Sequence, residues 1–104
     1  MHVTVTTADT TGETIANAAI VAEEMESWLR EMEGFEGLLL LAAEGKALGL
    51  AFWASREIAE HHAVARAEFR GRMLGIAGVR IEEVVDYEVA FARFGPRLIE
   101  AAEG

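Results

Sequence analysis

Leu48-Gly49-Leu50-Ala51-Phe52-Trp53-Ala54-Ser55-Arg56-Glu57-Ile58-Ala59-Glu60-His61-His62 is the stretch that decides the fold. Its first six residues are uncharged and end in two aromatics, which reads as a buried β-strand. Ser55 stands where a helix N-cap belongs, with Glu57 in the following first turn. Beyond it Ile58, His62, Ala65, Phe69 and Met73 recur at steps of four, three, four and four, one face of a helix. A flat aromatic and a titratable imidazole are thereby brought toward one wall of a cavity. That arrangement suits a small-molecule site, but it does not name a reaction.

Immediately upstream, Phe35–Ala43 and Ala47–Trp53 are apolar runs separated by Glu44-Gly45-Lys46, a β-hairpin signal. Before the hairpin, Ile15, Ala18, Ala22, Met25, Leu29 and Met32 mark an amphipathic helix over Glu13–Glu33. Thr10 and Glu13 fit a capping box at its start, and Gly34 a C-cap at its end. The β-branched alternation of His2-Val3-Thr4-Val5-Thr6-Thr7 predicts a first strand. Downstream, Gly71, Gly75 and Gly78 are expected to loosen the second helix, at about 1 kcal/mol each relative to Ala. Val79–Phe91 reads as the last strand, with Ile81, Val85, Tyr87, Val89 and Phe91 on one face. Gly95-Pro96 starts a short terminal helix.

The order is β-α-β-β-α-β, an α+β, ferredoxin-like split βαβ unit in a single domain over residues 1–104. Leu38–Leu41 and Leu48–Trp53 are apolar on both faces, whereas two helices cover only one face of a sheet. A second copy of the sheet covers the other most economically, giving an eight-stranded barrel homodimer.

Composition narrows the function. The chain has 18 acids against 9 bases, a net charge of −9. Nucleic acid and anionic membranes, which call for clustered Lys and Arg, are therefore not expected as partners. There is no cysteine, hence no disulfide or thiolate chemistry. No apolar run approaches the roughly 18 residues of a membrane span, and the polar start MHVTVTTADTTGE does not read as a signal peptide. The expected compartment is the cytoplasm.

Gly34-Phe35-Glu36-Gly37, then Phe52 through His62 with a strand-ending Trp and a His nine residues later, then Asp86-Tyr87-Glu88-Val89, resemble the antibiotic biosynthesis monooxygenase-like family. The resemblance covers nearly the whole chain in element order and implies the dimeric α+β barrel. Characterised members include cofactor-free oxygenases of polyketide aromatics and haem-degrading enzymes. Trp53 and His62 match the family's strand-three Trp and helical His, which line a cavity between helices and sheet. The haem-degrading branch also uses an Asn on the first strand, where this chain has Thr4, Thr6 and Thr7. The only Asn, Asn17, falls on the first helix.

The candidate catalytic residues are thus His62 as general base and Trp53 as aromatic wall. Arg66, Phe69, Tyr87 and Asn17 are candidate substrate contacts, Arg66 with Arg70 four residues on as a cationic fork. Each has a plainer alternative: core packing for Trp53, His62 and Tyr87, and a solvated helix face for the arginines. His61-His62 is not a metal motif, because neighbours on a helix diverge. The leading expectation is a cofactor-independent monooxygenase forming a quinone from an electron-rich aromatic. The alternative is a non-catalytic dimer that binds a small hydrophobic ligand or serves assembly. Haem binding through His62 ranks third.

Overall fold

The computed structural model describes residues 1–9, 18–77 and 80–103. Its elements are β1 (His2–Asp9), α1 (Ala18–Leu29), β2 (Phe35–Ala43), β3 (Lys46–Trp53), α2 (Arg56–His61), α3 (Ala63–Ala77), β4 (Arg80–Glu88) and α4 (Pro96–Glu103). The strands form one antiparallel sheet in the order β2-β3-β1-β4, the ferredoxin-like arrangement expected from the sequence. Thr10, Glu13 and Asn17 lie outside the described residues, as do Gly78 and Val79.

Register assigns the two faces. His2 pairs with Trp53, Thr4 with Ala51 and Thr6 with Gly49, so these residues share one side. Phe35, Leu38 and Leu40 join them from β2, and Asp86 and Val84 from β4. α1 packs on β2 and α2 on β3, and this is the side the helices cover. Trp53 is fully buried there with Leu29 and Ala59, surrounded by Trp28, Met32, Phe35, Leu38, Ala51 and Ile58. The opposite side carries Val3, Val5, Leu39, Leu41, Leu48, Leu50, Phe52, Val85 and Tyr87. Leu39, Leu41 and Leu48 are 38%, 46% and 36% exposed, so these leucines of the open face remain accessible.

Several details depart from the sequence expectations. α1 ends at Leu29, four residues before Glu33, and tightens through Met32 N–H to Leu29 O at 2.9 Å. Gly34 is still required, but for the turn into β2. Its φ is +84°, and a Cβ there would lie 2.8 Å from Ile58 Cδ1. The second helix is broken at His62 (φ −94°, ψ 10°) into α2 and α3, whereas α3 runs through Gly71 and Gly75 to Ala77 without loosening. β4 stops at Glu88, short of Phe91, and its register shifts opposite Thr7 and Ala8. That shift turns Ile81 to the helix-covered side, away from Val85 and Tyr87.

Candidate functional site

Trp53 closes β3, and the chain leaving it is held tightly. Ala54 N–H donates to Gly34 O at 2.8 Å, and Ser55 Oγ accepts from Ile58 N–H at 3.2 Å, the expected N-cap. Three groups surround the indole. The Phe35 ring meets it edge-on at 5.6 Å, His62 lies at 5.7 Å between centroids, and the Arg66 guanidinium sits 5.4 Å over its centroid. The structure thus brings Trp53, His62 and Arg66 together.

The helix break aims His62. Its Nε2 lies 2.9 Å from Glu33 O in the turn after α1. A carbonyl only accepts, so Nε2 carries the proton and Nδ1 keeps the lone pair of the neutral ring. His62 is half-buried, while His61 is exposed with its ring edge-on to His62 at 5.1 Å. This arrangement suits Nδ1 as a proton acceptor.

Arg66 does not form the exposed fork expected of it with Arg70. It folds beneath its helix, where one terminal nitrogen donates to Thr4 Oγ1 at 3.0 Å and the other to Ala59 O at 2.7 Å. Burial, and next the neighbouring Arg70 charge, pull the guanidinium below its ordinary range, with Asp86 opposing them. It stays a cation, since arginine is not deprotonated in proteins. Two buried N–H donors of this group, Trp53 Nε1 and Arg66 Nε, have no acceptor among the described residues. An unpaired buried donor costs about 1–3 kcal/mol.

Two other candidates go elsewhere. Phe69 stacks on Trp28 at 4.2 Å and 8°, an α3–α1 contact, and not on Trp53. Tyr87 pairs with Val3 on the open side of the sheet, opposite Trp53, and is 54% exposed. It lines a cleft of about 440 Å³ at the sheet's end with Met1, His2, Ser55, Asp86 and Glu88. Tyr87 therefore does not close a pocket with Trp53, because an odd residue step on β4 reverses its direction.

Sequence reasoning missed a polar chain on the helix-covered side. Thr4 Oγ1 donates to Asp86 Oδ1 at 3.1 Å, and His2 Nε2 lies 3.0 Å from the same oxygen. The His2 hydrogen bond chiefly holds the Asp86 carboxyl below its usual range, helped by Thr4, by the His2 charge and by Arg66, against a desolvation cost. His2 and Thr4 are both buried polar residues. The readable signal was their shared parity on the first strand, which becomes a site only once β1 is paired with β3 and β4.

His62 keeps one ring nitrogen lone pair, on Nδ1, because Nε2 faces Glu33 O. The strand position facing Trp53 is His2, itself bound to Asp86.

No protein-family model and no curated protein matches the chain. Among solved structures it is similar to one from Deinococcus radiodurans described as a "putative antibiotic biosynthesis monooxygenase". The two share 18% sequence identity, with a TM-score of 0.66 over 90% of this chain and 97% of that one. The likeness agrees with the resemblance drawn from the sequence, and at that identity it establishes the fold alone: an α+β, ferredoxin-like arrangement shared with that structure.

Proposed function

We propose that the chain is one protomer of a homodimeric, cofactor-independent oxygenase that converts an electron-rich phenolic aromatic, such as an anthrone, to a quinone. The observation that carries this reading is a pair of buried donors, Trp53 Nε1 and Arg66 Nε, that have no acceptor among the described residues, beside a histidine whose Nδ1 is left as a base. The D. radiodurans neighbour's description agrees with an oxygenase but does not decide the substrate.

The chemistry needs an anion that is itself the reductant. His62 Nδ1 takes a proton from the bound aromatic, and the negative oxygen of the resulting enolate-type anion accepts from Trp53 and Arg66. The carbanion form transfers electrons to dioxygen and forms a C–O bond, giving a peroxide that the His62 imidazolium protonates. Loss of water leaves a carbonyl where the substrate had CH₂. One oxygen atom enters the product and the other leaves as water, so atoms and electrons balance. Trp53 and Phe35, packed edge to face, supply apolar surface that excludes water.

The second copy packs on the open leucine face, joining two four-stranded sheets into one barrel. Leu39, Leu41, Leu48 and Tyr87, all exposed on that face, supply the apolar contact.

The test is dioxygen uptake by purified, metal-free protein over a panel of anthrones and dihydroxynaphthalenes, beside His62→Ala. Uptake with quinone formation, reduced about 100-fold or more in the variant, is the expected result. No uptake above the uncatalysed rate with any panel member would replace this reading with that of a non-catalytic ligand-binding or assembly dimer.

A further inference from the structure

Arg66 is an anomaly in an acidic chain. It is a cation folded against a buried indole, and among the described residues it has no direct carboxylate partner. Its nearest acidic partner is reached through a hydroxyl. Thr4 accepts from the guanidinium at 3.0 Å and donates its own proton to Asp86 at 3.1 Å, so both hydroxyl functions are used in one direction. The sheet explains the spacing. Thr4 lies on a central strand with Asp86 directly opposite on β4 and Ala51 directly opposite on β3. The single methyl of Ala51 leaves the guanidinium room to reach across. His2, two residues before Thr4 on the same side, binds the same Asp86 oxygen and fixes the carboxylate from its other flank.

We propose that Thr4 and Asp86 are positioning residues: they hold the Arg66 guanidinium over Trp53 and thereby make this site select ligands with an anionic oxygen. The carboxylate compensates the buried charge from a distance, through Thr4. A carboxylate in direct contact would neutralise the guanidinium and occupy its donors. Placed one hydroxyl away, Asp86 keeps the cation in place and leaves Nε–H without an acceptor among the described residues. A threonine serves here because its χ1 is stiff, which holds the hydroxyl along the line between the two charges. The inference depends on the oxygenase reading only for calling the natural anion a phenolate.

The test uses 4-nitrophenol, whose phenolate and phenol absorb differently, together with the emission of Trp53. A Trp28→Phe background leaves Trp53 as the only tryptophan and keeps an aromatic ring against Phe69. In that background Thr4→Val should shift Trp53 emission by releasing the cation, and Thr4→Ser should restore it. Wild-type protein should bind the phenolate in preference to the phenol. Thr4→Val should weaken phenolate binding about 10-fold, as expected for losing a hydrogen bond to a charged group. Thr4→Ser should recover it to within about 2-fold, and Asp86→Asn should fall between them. Unchanged Trp53 emission and unchanged phenolate affinity in Thr4→Val would overturn the proposal. So would equal binding of phenol and phenolate by the wild type, or a Thr4→Ser variant as impaired as Thr4→Val. Phenolate binding that follows this order in a protein without oxygen uptake would sustain the positioning roles and remove the oxygenase reading.

Discussion

The helix-covered face of the sheet combines the Trp53, Phe35 and Leu38 core with a polar cluster, whereas the open face is mainly leucine and aromatic. The face under the helices holds His2, Thr4, Thr6 and Asp86 with Arg66 above them, while the uncovered face holds Leu39, Leu41, Leu48, Leu50 and Phe52. The helices cover the aromatic residues beside that cluster, and Leu39, Leu41 and Leu48 on the other face stay exposed. The site needs low dielectric to strengthen its few hydrogen bonds, and the leucine face needs only area.

The largest effect is expected on the open face. Leu39→Asp places a charge that the protomer tolerates, because the side chain is already 38% exposed. In a symmetric pair the carboxylate is buried twice, so association should weaken by about 4 kcal/mol or more, roughly 1,000-fold. Sedimentation equilibrium checks this, and an unchanged association constant would place the interface elsewhere.

Next in size is Gly34→Ala, on the helix-covered side. A positive φ for a non-glycine residue, added to the collision with Ile58, predicts about 2–4 kcal/mol of lost stability by urea unfolding. A loss below about 1 kcal/mol would mean that the turn before β2 can relax and that α2 is not held against it.

The smallest concerns pH. The Asp86 carboxyl is held low in the folded protein, so it contributes stability above the ordinary carboxylate pKa of about 4 and loses it as pH falls through its own lower value. The side chain is 59% exposed, so the effect is modest. Asp86→Asn should lower the neutral plateau of unfolding midpoints modestly and flatten the acid limb, so that variant and wild type converge below about pH 4. An acid limb identical to the wild type would remove the His2–Asp86–Thr4 chain as a stabilising unit.

Much of this was legible before the structure. The alternation of Phe52 and Trp53 separated the faces correctly, and the Trp53-to-His62 spacing brought the indole and imidazole together. What was not legible depended on pairing or on how a side chain folds back. Tyr87 shares strand and charge context with Asp86, and only the register against β1 shows that they face opposite ways. Ile81 seemed to align with Val85 because a β-bulge leaves no reliable mark in a single strand. Arg66 has the spacing of a surface fork, yet its guanidinium finds Thr4 and Ala59, contacts that exist only once α2 and α3 break at His62.

The most direct test of the division between faces is the initial rate of dioxygen uptake for three single variants on the best anthrone. His62→Ala and Arg66→Met alter the helix-covered site, and Tyr87→Phe alters the open face. The account predicts losses of about 100-fold or more for the first two, with Tyr87→Phe within about 2-fold of wild type. A Tyr87→Phe loss as large as that of His62→Ala, or a His62→Ala variant as fast as wild type, would contradict it.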